Sequence, residues 1–131
     1  MTFLYNPATA FDGYKVDHRR QYPDGTNRVY SNWTPRGSRV EGQEEVVLFG
    51  LQYFQQRFLM DDMQVGFWGR PRDQCLQRYT RRINGYLGPN GVGIDHVADL
   101  HDLGYVPLQF SSLPEGTRVP LRIPQFVVEN K

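Results

Sequence analysis

Glu44-Glu45-Val46-Val47-Leu48-Phe49-Gly50-Leu51-Gln52-Tyr53-Phe54-Gln55-Gln56-Arg57-Phe58 is the stretch on which the fold turns. Its apolar positions Val47, Leu48, Leu51, Phe54 and Phe58 recur at three- and four-residue spacings. Glu44 and Glu45 stand in the first turn, where a helix dipole favours anions. The spacing predicts a helix over 44–58. Gly50, in its middle, costs about 1 kcal/mol relative to Ala, so it is expected to mark a close approach by another backbone.

Downstream, residues 66–72 read as a loop, and a second helix is predicted over 72–86. Leu76, Tyr79, Ile83 and Tyr86 form its stripe, with Arg78, Arg81 and Arg82 around it. Gly88-Pro89-Asn90-Gly91 ends it. A shorter helix over 94–103 stops at Gly104, a residue suited to a left-handed cap. The period then changes to that of strands: 106–110, 117–121 and 125–128 are β-prone runs that read as an antiparallel meander, with Pro120 and Pro124 confined to edges or strand starts.

Upstream, Arg28-Val29-Tyr30-Ser31-Asn32-Trp33 alternates as a half-buried strand does and stops before Pro35. Residues 1–27, with turn pairs at Asn6-Pro7 and Asp12-Gly13, read as an irregular arm with one short helical turn. The expected fold class is α+β: two main helices packed on a small, mostly antiparallel sheet, in one domain over residues 1–131.

Composition narrows the function. Of 131 residues, 39% are apolar and 14% aromatic, enough rings to build an ordered core. The net charge of +1 supplies no field that would gather a nucleic acid or an acidic membrane, so neither is an expected partner. Thirteen of the fifteen basic residues are Arg, whose planar fork suits carboxylate and phosphate. Cys75 is the sole cysteine, no secretory leader is evident, and no run approaches the roughly 18 to 20 apolar residues of a membrane span. A cytoplasmic location is expected.

Catalytic signatures are missing. The sequence has no nucleophile elbow, no phosphate-binding glycine loop and no dinucleotide fingerprint. His96 and His101, near Asp95, Asp99 and Asp102, could hold a divalent cation or form a solvated helix face; no structural metal is expected. Cys75 reads as an inert core residue. The segment Asp12-Gly13-Tyr14-Lys15-Val16-Asp17-His18, followed by Gln21-Tyr22-Pro23, presents an acid, an aromatic and a lysine from a glycine-containing arm. Tyr14 there either stacks on a flat ring or packs over the domain. Arg36, between Pro35 and Gly37, either clasps a phosphate or is solvated.

Taken in order, Asp12-Gly13-Tyr14-Lys15, His18, Gln21-Tyr22-Pro23, Val29-Tyr30-Ser31, Arg36, the run from Glu44 to Tyr53, Leu113-Pro114-Glu115-Gly116 and Val128-Glu129-Asn130 resemble the amino-terminal region of nicotinamide phosphoribosyltransferases. The resemblance covers nearly the whole chain. It implies a reaction joining nicotinamide to phosphoribosyl pyrophosphate to give nicotinamide mononucleotide and pyrophosphate. Magnesium and ATP serve the full enzyme, and none is expected on this chain alone.

In that family two subunits form each active site together, and the arm reaches into the partner's barrel. Matched motif to motif, Tyr14 would stack on the nicotinamide ring, Asp12 would sit beside it, and Arg36 would contact phosphate. The α/β barrel that carries the catalytic residues would follow residue 131. The chain is therefore expected to lack it, to contribute no catalytic residue, and to be inactive alone, as a truncated, split or excised piece. The expected partners are a barrel-containing chain or an intact homologue, or a second copy in a homodimer. A freestanding binding or inhibitory module is the alternative, and a fragment of a nicotinate enzyme a third.

Overall fold

A computed structural model describes residues 5–131; residues 1–4, the start of the expected arm, lie outside the described residues. The chain forms two compact units, one combining residues up to Asp24 with Gln55–Val106, the other Gly25–Phe54 with Pro107–Lys131. The fold class is α+β, with small antiparallel sheets and no closed barrel among the described residues.

The second unit holds the five strands found among the described residues: β1 (Tyr30–Trp33), β2 (Glu45–Val47), β3 (Leu108–Ser112), β4 (Arg118–Pro120) and β5 (Phe126–Asn130), with the helical turn α1 (Leu51–Phe54) after β2. β5 lies between β1 and β3, antiparallel to both, with Trp33 opposite Phe126 and Phe110 opposite Val128. These four residues fall on one face of the pleat. Trp33 stacks on Phe126 at 5.9 Å between centroids, and Phe110 sits 6.3 Å from Phe126. Such cross-strand ring pairs are the stabilising unit of a sheet. The Val128-Glu129-Asn130 ending closes the β1 edge: Asn130 Oδ1 accepts from the Val29 amide at 2.7 Å, Asn130 Nδ2 donates to the Asn27 carbonyl at 2.9 Å, and Glu129 pairs with Arg28.

β2 and β4 form a separate two-stranded sheet with Val46 opposite Val119. The expected meander is therefore corrected: the run around Val119 pairs with residues some seventy positions earlier in the chain and leaves β3 and β5 to a different sheet. Leu48, Leu51 and Val119 are the buried apolar residues of this unit.

The predicted helix over 44–58 is likewise divided. Its first part is strand β2, and Gly50 adopts φ +89 before the helix begins at Leu51, with no atom within 4 Å of where a Cβ would stand. Gly50 is there for its left-handed backbone, not for a close approach. From Gln55 the hydrogen-bond ladder widens to π geometry over Gln55–Asp61 and again over Gln64–Trp68, so the loop predicted at 66–72 shrinks to the residues around Gly69. The widened turns break the 3.6-residue stripe, and Phe54 and Phe58 stay 45% and 40% exposed.

The first unit is helical. Short 3-10 helices run over Pro7–Thr9 and Gly13–Gln21, α2 spans Arg72–Leu87 and α3 Asp95–Leu103. α2 buries Cys75, Leu76, Tyr79 and Ile83, while Tyr86, expected on the same stripe, is 61% exposed. α3 buries Val97 and Ala98 and ends as predicted at a left-handed Gly104. These residues join Val16, Met63, Val92 and the fully buried Phe67 in one core. Polar groups inside it are paired: Trp68 Nε1 donates to the Leu100 carbonyl at 3.0 Å, and Asn6 Nδ2 donates to the Cys75 carbonyl at 3.2 Å.

Candidate functional site

The arm is more helical than the single short helical turn expected of it. The nine residues Gly13–Gln21 form a 3-10 helix that starts beyond Asp12, and its Val16 is buried in the core of the helical unit. With Val16 turned inward, Tyr14 turns outward and is 62% exposed. Its hydroxyl donates to Asp12 Oδ2 at 2.9 Å, the Lys15 ammonium lies 5.2 Å from its ring centroid, and the His18 ring is 5.9 Å away. An aromatic ring held at its hydroxyl end and open over most of its surface can stack on a planar heteroaromatic ligand. A carboxylate beside it can accept from an amide N–H.

The C-terminal half of the same helix is tied down. Arg19 donates to the Val92 carbonyl at 3.4 Å and to His96 Nδ1, while Arg20 pairs with Asp17. Arginine only donates, so His96 Nδ1 carries the lone pair and Nε2 the proton, which points to the Tyr79 oxygen at 3.2 Å. Burial, then the Arg19 charge, lower the His96 pKa and favour the neutral ring. Burial raises the Tyr79 and Cys75 pKa values. Of the His and Asp residues that could have faced a cation, His101 Nε2 sits 3.1 Å from the Arg70 carbonyl and Asp102 takes a two-point contact from Arg72 at 2.7 and 3.0 Å.

Thus Asp12 and Tyr14 come together in the helical unit. Arg36 belongs to the sheet unit, on the exposed loop after β1. An open groove of about 430 Å³ beside α2, lined by Leu76, Thr80, Arg81 and Ile94 among others, includes none of the three.

Two contacts between distant segments have no local mark in the sequence. Glu115 accepts from the Gly50 amide at 2.6 Å and the Gln52 amide at 3.1 Å, so its carboxylate caps the start of α1. Those amides, Gln52 first, hold the Glu115 pKa below its usual value. The Leu-Pro-Glu-Gly turn and the Gly-Leu-Gln segment thus form one device, although 63 positions separate Glu115 from Gln52. The other is made by Arg122, whose amide donates to the Pro35 carbonyl at 2.8 Å, beside Arg36.

Residues 6–65 match the family model described as "Nicotinamide phosphoribosyltransferase, N-terminal domain". The stretch contains Asp12, Tyr14, Arg36 and Gly50. The chain is also similar to the nicotinamide phosphoribosyltransferase of Acinetobacter baylyi, with 45% identity over 135 residues, 99% of this chain and 27% of that relative. The chain spans about a quarter of the length of the curated relative it matches. With one match over its amino-terminal half and another from end to end, the chain carries an N-terminal domain of the nicotinamide phosphoribosyltransferase family.

Proposed function

We propose that this chain is the substrate-contacting and dimer-forming N-terminal part of a nicotinamide phosphoribosyltransferase, acting in the cytoplasm, and that it makes nicotinamide mononucleotide only when barrel residues are supplied as well. The observation that carries the reading is Tyr14, whose exposed ring is oriented by Asp12 at the head of the arm helix. Tyr14 would stack on the nicotinamide ring, Asp12 would accept from its carboxamide, and Arg36 would hold a phosphate group. Transfer at an anomeric carbon requires charge preorganised around an oxocarbenium-like centre and a leaving pyrophosphate. Magnesium on the pyrophosphate and ATP belong to the complete enzyme, and this chain supplies neither a metal ligand nor a catalytic group.

The test mixes this chain with one carrying the barrel half of a nicotinamide phosphoribosyltransferase, then follows mononucleotide formation. Activity is expected from the mixture and from neither part alone. Y14A is expected to raise the KM for nicotinamide about tenfold or more, the loss of one aromatic stacking partner. A stable complex of the two halves that forms no mononucleotide overturns the proposal.

A further inference from the structure

The turn between β4 and β5 puts an arginine where turn geometry favours glycine. Ile123 donates its amide to the Pro120 carbonyl at 3.3 Å, closing the four-residue turn Pro120-Leu121-Arg122-Ile123. Arg122, at its third position, has φ +68 and is the one non-glycine residue with positive φ among the described residues. That position of such a turn selects Gly or Asn, because a Cβ is crowded in the left-handed region. Strained residues of this kind persist where the surroundings hold them and recur in ligand clamps.

The surroundings here are the loop that carries Arg36. The Arg122 amide donates to Pro35 at 2.8 Å, the Leu121 amide to the Glu44 carbonyl at 2.9 Å, and the Gln125 amide to the Trp33 carbonyl at 2.8 Å. The Pro35 carbonyl and the Arg36 Cα share one planar peptide, so this bond holds the Cα atoms of Arg36 and Arg122 within about 7 Å. Both side chains are exposed, and neither guanidinium makes a hydrogen bond or ion pair among the described residues. Cα atoms this close put both flexible guanidinium groups within reach of one multiply charged oxyanion, which can accept from both forks.

We propose that Arg122 and Arg36 form a two-guanidinium clamp for a phosphate-type oxyanion, with inorganic pyrophosphate as the probe. The clamp rests on the reading of Arg36 as a phosphate contact and adds to it a second residue, from a turn 86 positions further along the chain.

The experiment is calorimetric titration of the full chain with inorganic pyrophosphate at low salt, in parallel with thermal unfolding. R122G suits the backbone of the turn, so it keeps or raises Tm while binding pyrophosphate about tenfold more weakly. R36A weakens binding to a similar degree. R118A, which removes the same charge from an exposed position of β4, stays within about twofold of the wild type. An R122G chain that binds like the wild type overturns the clamp; if R36A is weakened in the same series, the reading of Arg36 stands without it. An R36A chain that binds like the wild type removes both. A wild-type chain that takes up no pyrophosphate overturns the clamp outright.

Discussion

Glu115 shows how a single carboxylate joins two segments that look independent. Its oxygens take the amide protons of Gly50 and Gln52, which a helix start would otherwise leave unsatisfied. Because these bonds favour the ionised form, Glu115 titrates below its ordinary 4.5 in the folded chain. A carboxylate depressed by folding stabilises the fold above its unfolded pKa, and that contribution is lost as pH falls through the folded value. E115Q should therefore lower Tm at neutral pH, and its gap from the wild type should close below about pH 4.5. Asp102, held low by its hydrogen bond from Arg72, loses its own contribution over a similar range, but does so equally in both proteins, so the difference in Tm isolates Glu115. Asp12, Tyr14 and Arg36 stand out in the sequence only through the family resemblance of their motifs, and of the three the structure joins Asp12 to Tyr14. Glu115 was legible only as a family marker, and Arg122 not at all, because each acts through a backbone contact between segments distant in sequence.

At the scale of elements, what could be read followed how local the deciding contacts were. α2 and α3 lie close to their predicted spans because their own periodicity and end residues, Gly88 and Gly104, determine them. The 44–58 stretch was misread at its start because Val46 and Val47 fit a helical stripe and a strand equally well. Only pairing with Val119 and Arg118 decides between the two. The π turns that follow leave no mark in apolar spacing. Their packing is checkable at Gly66, where a Cβ would lie 2.8 Å from Pro7 Cδ and 2.9 Å from the Tyr5 carbonyl oxygen. The second of these is backbone and cannot rotate away. G66A is expected to push the Pro7–Thr9 turn off the π segment and destabilise the chain by about 1 to 3 kcal/mol in urea unfolding.

At the scale of the molecule, neither unit is a continuous stretch. The chain passes from one to the other after Asp24, after Phe54 and after Val106. Each unit therefore closes the other's loop: folding Gly25–Phe54 brings the two parts of the helical unit together, and folding Gln55–Val106 does the same for the two parts of the sheet unit. Loop closure carries an entropic cost that a folded insert reduces, so loss of one unit weakens the other. The two tryptophans report separately, Trp33 from the sheet unit and Trp68 from the helical unit. Phe67, fully buried in the helical core, is the place to perturb, and F67A is expected to cost about 3 to 5 kcal/mol. In W68F, where Trp33 is the one tryptophan and is excited selectively at the red edge of the absorption band, adding F67A should still lower the urea midpoint. A Trp33 midpoint that does not move would mean that the sheet unit folds without help from the helical one, and residues 1–131 would then count as two domains instead of one.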